Sequence, residues 1–419
     1  MKVFYVLFFF VIHNSSVPQD FWHHINTLQD HVIQSIVTDS NGYIYIAAGS
    51  QINNSMGLYV SFDNGQSFKS TDLIGSPCRD CDISSSQRIY ALGGNWTMGF
   101  GVFKSEDQGT SWTHLFYVGD WYSLKCGFDS IILVGCNRME GILRSGDYGQ
   151  TWDTAFSITS NLSQWFTDFA YATDHVIYAS SRNPFEGDRG VYFSEDYGNT
   201  WQYLGLNEEA ISLEVDNYNN LLVGTVGSGL FRYNKNEAQW EWLVYSTTVN
   251  DIVVSPDDRI FLAMLGTPNF NGGVMISPDN GNTFYYVNSG LIPDYNVGNF
   301  AFDEFGRMYC TEINNTFSDL YLSNDTIITS VEILRKIENI PFTKYPNPCK
   351  DFIEIKSLNN KCPINEISIF TTSGIALFKI CNLNKDFYMI DTSNLKQGIY
   401  VVLLRSEEKT FSSKFVKVN

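Results

Sequence analysis

At 419 residues the chain is longer than one ordinary domain. A formal net charge of −18 excludes partners that are held by a basic patch displacing counterions, namely nucleic acid and anionic membranes. Aromatic residues reach 15% against only 17% charged, with 32 glycines, which suits many short strands and glycine turns rather than helices.

The chain opens on "MKVFYVLFFFVIHNSSVPQD". A lysine, an apolar run from Val3 to Ile12 and then small polar residues are the layout of a secretory signal peptide, assigned to 1–17. The run is too short to span a bilayer. No other stretch reaches that length, so no transmembrane segment is expected in the mature chain.

From Ser61 onward one pattern recurs: "SFDNGQSF", "SEDQGTSW" from Ser105, "SGDYGQTW" from Ser145, "SEDYGNTW" from Ser194 and "SPDNGNTF" from Ser277. All read Ser-x-Asp-x-Gly-x-(Ser/Thr)-aromatic. Decayed copies start at Tyr233 and Ser323, so the intervals between the seven starts are 44, 40, 49, 39, 44 and 46 residues. About twenty residues before each box lies a hydrophobic run, a polar turn and a second run, such as "IVTDSNGYIYIAAG" from Ile36. Each unit is therefore four short strands, A to D, with the box at the C–D turn. Seven such units at this period predict a seven-bladed β-propeller over 18–325.

A ring must close, and "FWHHINTLQDHVIQSIVTD" from Phe21 aligns with the strand D region "TWQYLGLNEEAISLEVD" of the fourth unit. Trp22 is expected to complete blade seven, whose own box has lost its aromatic, and so to remove an open sheet edge. Among the eight cysteines, Cys126 and Cys136 flank the A–B turn of blade three and are expected to face each other across it. Cys78 and Cys81 form a lone CxxC with no second pair at metal spacing, which favours a buried or disulfide role over zinc.

The repeat ends near Ser323, and a linker is assigned to 326–344. Alternating short strands then predict a small β-sandwich over 345–419, making the chain all-β. Its motifs, "YPNP" from Tyr345, "ISIFTTSG" from Ile367, "IDTSNLKQGIYVV" from Ile390 and "KFVKVN" at the end, resemble the C-terminal sorting domain of the bacterial type IX secretion system. The resemblance implies a Bacteroidetes-type source, the type IX machinery as a partner, and a secreted or cell-surface destination across the outer membrane.

The boxes resemble those of the Asp-box, or BNR, propellers, where the box is a turn remote from the ligand face. Turn chemistry leads to the same role: the carboxylate accepts N–H bonds, the glycine supplies a positive φ and the aromatic packs between blades. Asp63, Asp107, Asp147, Asp196 and Asp279 are therefore read as structural, since five equivalent copies cannot supply one acid–base pair with separated pKa values. A calcium loop needs six or more oxygens, more than a box offers, so neither a metal nor a cofactor is expected.

If the boxes occupy one rim, function falls on the other, built from B–C and D–A loops. Trp96, Trp121, Trp165, Phe185, Phe270 and Tyr295 lie there, with Arg182, Glu186 and Asp188 in the long blade-four loop "SSRNPFEGDRG". Aromatics beside Asn, Asp and Arg suit carbohydrate recognition; the plain alternatives are loop packing and solvated salt bridges. A binding module for glycans or surface proteins is the preferred reading. An extracellular glycoside hydrolase is the alternative, with Asp120, Glu186, Asp188 and Glu312 as rim carboxylates. A sialidase is disfavoured, because the resemblance would require a Phe/Tyr-Arg-Ile-Pro motif that is missing.

Overall fold

The computed structural model describes residues 20–324 and 342–418. Short stretches are excepted: 30, 50–55, 74–76, 96–98, 118–120, 128–129, 138–140, 159–163, 184–188, 246, 256–257, 267–271, 293–295, 304–305 and 314–316, and in the second span 346–348, 358–363, 365, 372–375, 381–382, 384, 386, 397 and 407–408. The expected signal peptide at 1–17 lies outside the described residues, as does most of 326–344.

Seven four-stranded antiparallel sheets form a ring. Strands A, at Ile33–Thr38, Cys78–Ile83, Trp121–Cys126, Trp165–Tyr171, Ala210–Val215, Thr248–Val254 and Val297–Phe302, contact one another in succession and line the axis. Each blade buries its faces only against its neighbours. One cluster joins Tyr45 and Leu58 of blade one to Ala91 and Phe103 of blade two, and the next joins Tyr90 and Leu92 to Leu133-flanking Ile132 and Val134 of blade three. Strand B is buried along its whole length in blades one, three and five, which explains its unbroken apolar runs.

Blade seven is completed from the N-terminus. Trp22–Gln29 pairs antiparallel with Phe317–Ser323, Trp22 opposite Ser323. Trp22 is 1% exposed, in a cluster with Phe261, Leu291, Phe300 and Tyr321, and its indole N–H donates to the Val287 carbonyl at 2.7 Å.

The five intact boxes share one hydrogen-bonded turn. In the fourth, Ser194 Oγ donates to Asp196 Oδ1 at 2.8 Å and accepts from the Gly198 amide at 2.8 Å. The Thr200 amide and hydroxyl donate to the two carboxylate oxygens at 2.8 and 2.7 Å, and the Trp201 indole donates to the Gly198 carbonyl. Gly198 has φ +80°, and the residue before it, Tyr197, is left-handed too at φ 61°. Phe68, Trp112, Trp152, Trp201 and Phe284 each pack into a cluster between blades. Bonds from both Thr151 groups hold the Asp147 carboxyl down at about 2. Replacing Asp196 by Ala is expected to destabilise the propeller by about 1–2 kcal/mol through unpaired turn donors, read by thermal unfolding; an unchanged midpoint would contradict the turn role.

Two features differ from expectation. Cys126 pairs with Ile132 while Cys136 pairs with Trp121, so these cysteines sit at opposite ends of the hairpin and do not face each other. The C-terminal unit starts with Phe342–Tyr345, overlapping the end of the span expected as linker. That unit has a three-stranded and a four-stranded sheet around one core of Cys349, Ile353, Ile355, Ile367, Ile390, Val402 and Leu404, a β-sandwich. Among the described residues no helix is long and apolar enough to cross a membrane.

Candidate functional site

The rim opposite the boxes holds the starts of strands A and the B–C and D–A loops. In the first six blades strand A carries a register shift after its first or second residue, bypassing Gln34, Arg79, Tyr122, Thr167, Ile211 and Asn250. A bulge re-aims the side chain that it leaves out of the ladder. In blades two and three it turns Arg79 and Tyr122 along the ring toward the next blade.

The result is a stacked ladder across three blades. The Arg79 guanidinium lies 3.7 Å from the Tyr122 ring centroid, with its Nε–H donating to the Tyr122 carbonyl at 3.1 Å. Tyr122 stacks on Trp165 at 5.4 Å and 6° between planes. Arg182, opposite Trp165 in the strand pair, lies 5.3 Å from that ring and donates to Glu209 Oε2 at 2.6 Å. Its side chain is 34% exposed against 18% for Glu209. Stacked guanidinium groups keep their planar donor edges oriented.

Trp165 and Arg182 are thus brought together, and Trp165 meets Tyr122 and Arg182 rather than standing as an isolated platform. Trp121 packs instead against the cluster of Leu92, Leu124 and Val134. Trp96, Phe185, Glu186 and Asp188 lie outside the described residues, as do Asp120, Phe270 and Tyr295. Glu312 is only 8% exposed, paired in strand register with Asp319 on one side and with Val297 at the start of strand A on the other. Among the described residues no cluster of His, Cys, Asp or Glu could hold a metal ion.

Below the ladder, strand A residues next to the bulge alternate around the channel. Ser35, Ser123 and Ser212 on blades one, three and five donate to the Cys81, Phe166 and Val249 carbonyls of the following blade. Asp80, Asp168 and Asp251 on blades two, four and six accept from the following Leu124, Leu213 and Phe300 amides at 2.7 to 2.8 Å. Each of these six inner strands is thus stitched to the next by at least one side-chain bond. Two residues further along, Asp82, Lys125 and Glu214 add charge, and the Asp82 carboxylate accepts from the Cys126 amide.

Five carboxylates therefore share the lumen with Lys125. Burial drives Glu214 up to about 8, aided by Asp251 and Asp168 and opposed by Lys125. Burial likewise carries Asp80 and Asp251 to about 7 and raises Asp82 and Asp168. Burial alone would lower Lys125, but Asp82, Asp168, Glu214 and Asp80 outweigh it and its pKa rises. Glu214, Asp80 and Asp251 are thereby carried into the neutral range.

Sequence reasoning did not reach Arg79, Tyr122 or the channel ring. The available signal was a polar residue at one phase inside each inner hydrophobic run, Asp and Ser alternating from repeat to repeat.

Residues 343–418 match the family model of the secretion system C-terminal sorting domain. No curated protein matches the chain. Among solved structures, PorZ of Porphyromonas gingivalis, an essential bacterial surface component of the type IX secretion system, is similar at 15% identity and a TM-score of 0.53, over 93% of this chain and 59% of PorZ. This chain thus spans 59% of the length of PorZ. YCF48 bound to D1 peptide is similar at 16% identity and 0.56, covering 74% and 99% of the two chains. The GH74 xyloglucanase from Xanthomonas campestris is similar at 13% identity and 0.53, over 74% and 54%. At such identities these likenesses speak for the fold alone. The protein is a seven-bladed β-propeller bearing a type IX secretion C-terminal sorting domain, and is accordingly secreted or displayed at the cell surface.

Proposed function

We propose that the protein is an exported binding module that takes a neutral glycan at the channel mouth of blades two to five. The observation that carries this reading is the Arg79–Tyr122–Trp165–Arg182 ladder set above an acidic lumen. Its guanidinium groups and the Tyr122 hydroxyl donate; Glu209 and the channel carboxylates Asp80 and Asp82 accept. A sugar hydroxyl does both, whereas a carboxylate ligand uses only the donors and a cation only the acceptors. Stacking fixes the donors before the ligand arrives, which limits the ordering entropy of binding. A hydrolytic role needs two opposed rim carboxylates, and the burial of Glu312 speaks against it as one of them.

The test is a glycan array with the full chain, followed by titration calorimetry on any hit. Arg79→Ala and Tyr122→Ala are expected to weaken binding by about ten-fold or more. If no glycan binds, the reading fails and a surface-protein ligand takes its place.

A further inference from the structure

In the first six blades the residue that the bulge leaves out of the ladder carries a polar group in every case but one. Gln34, Arg79, Tyr122, Thr167 and Asn250 stand there in blades one to four and six, and Ile211 in blade five. Arg79 donates to the Tyr122 carbonyl, Thr167 to the Ala210 carbonyl at 3.1 Å and Asn250 to the Val297 carbonyl at 2.8 Å, tying inner strands to their successors. An isoleucine can make no such bond. It is not drawn into the core either: Ile211 is half-buried and belongs to neither apolar cluster flanking blade five, which take Ala210 and Leu213 on one side and Leu222 and Val249 on the other.

Ile211 stands at the end of the ladder. It lies two residues after Glu209, the partner of Arg182, and the carbonyl just before it is the one that Thr167 holds. The B–C connection beside it is short, residues 226–228, where blade four has 183–189. A Cβ added at Gly227 would meet nothing within 4 Å, so among the described residues no atom closes over that turn. A lone aliphatic side chain on an outer surface is ordinary; one set beside fixed donors and acceptors in the mouth changes what the mouth can hold. A hydroxyl pressed on it loses water without gaining a partner, whereas a methyl is taken out of water there.

We infer that Ile211 is the specificity-determining contact of the mouth, and that the ligand is a neutral sugar carrying a methyl group, its hydroxyls held by the ladder and its methyl laid on Ile211. The methyl belongs to a 6-deoxy sugar or to an acetamido group. This rests on the rim reading above and narrows it, because a sugar with hydroxyls at every position meets an isoleucine where it needs a partner.

The test titrates the full chain with matched pairs: L-fucose beside L-galactose, L-rhamnose beside L-mannose, and chitobiose beside cellobiose. The first of each pair carries the methyl and the second a hydroxyl or hydroxymethyl in its place. In at least one pair the methyl-bearing sugar is expected to bind about ten-fold tighter than its mate. A preference in the first two pairs assigns the methyl to a deoxy carbon, and one in the third to the acetamido group. Ile211→Ser is expected to bring the preferred pair to equal affinity, while Arg79→Ala weakens both members and keeps their ratio. Ile211→Thr keeps the β-branched shape at the bulge and serves if Ile211→Ser perturbs folding. Equal binding within every pair, tighter binding of the hydroxyl members, or a preference that survives both Ile211 variants overturns the contact and leaves the rim reading intact. No binding of any of the six sugars also overturns it, and the glycan array then decides the rim reading by itself.

Discussion

Replacing Lys125 by Met is expected to destabilise the propeller by about 2–4 kcal/mol at pH 8, and by much less at pH 5. The residue faces five lumen carboxylates, and removing it leaves their repulsion uncompensated, the situation in which breaking a buried ion pair is most costly. Partial exposure of these side chains to the lumen places the figure below that of a fully desolvated pair. The pH dependence has a definite sign. Glu214 at about 8 and Asp80 and Asp251 at about 7 are raised above their unfolded values, so the native state binds more protons than the unfolded one between about pH 4 and 8. Their contribution is complete below about pH 4 and is lost as pH rises through 7 to 8. Box carboxylates act oppositely: Asp147, held at about 2, stabilises above about pH 4 and loses its effect in acid. Wild type should therefore be most stable in mild acid and weaken toward pH 8, with Lys125→Met steepening the alkaline fall. Thermal unfolding across pH 4–9 checks this; an equal loss at pH 5 and pH 8 would assign the effect to packing instead of charge.

Trp22→Ala should cost about 3–5 kcal/mol, the range for truncating a large buried aromatic. The consequence exceeds a cavity, since the same strand closes the ring and covers the outer edge of Phe317–Ser323. An uncovered edge of that length pairs with other chains. The variant should unfold on the order of 5–10 °C lower and aggregate with a concentration dependence that wild type lacks. His24→Ala, which removes the 3.0 Å hydrogen bond between a histidine 43% exposed and Asp319, is the control on the same strand and should change stability by less than about 1 kcal/mol. A Trp22→Ala protein as stable and as monomeric as that control would refute the closure role.

Seven blades and their closure by Trp22 were legible because a turn that needs Asp, Gly and an aromatic at set spacing writes itself into the sequence each time the backbone makes it. The Trp201 indole bond to Gly198 is local, three residues apart, and so leaves a local pattern. The ladder leaves none. Arg79 and Tyr122 come from blades 43 residues apart and meet only because bulges turn both along the ring. Within "CRDC" and "DWYSLK" they look like ordinary strand residues. Arg182 could be placed on the rim from loop length, but its partner Glu209 belongs to the connection into the next blade, a contact created by ring packing. The hairpin of Cys126 and Cys136 failed for a related reason: flanking a turn is not the same as being in register, and the pairing of Cys126 with Ile132 sends Cys136 to the far end.

The pairing of Trp22 with Ser323 also decides how the molecule bears load. Tension on the chain beyond Asn324 reaches the propeller through a strand paired with the residues from Trp22 to Gln29, with Asn324 tied to the Phe21 carbonyl at 2.8 Å. A pull directed along that strand therefore loads its whole ladder at once instead of bond by bond. Severing the chain after Asn324 would take no strand from the ring, so the tether to the sorting domain is mechanically separable from the body that it delivers.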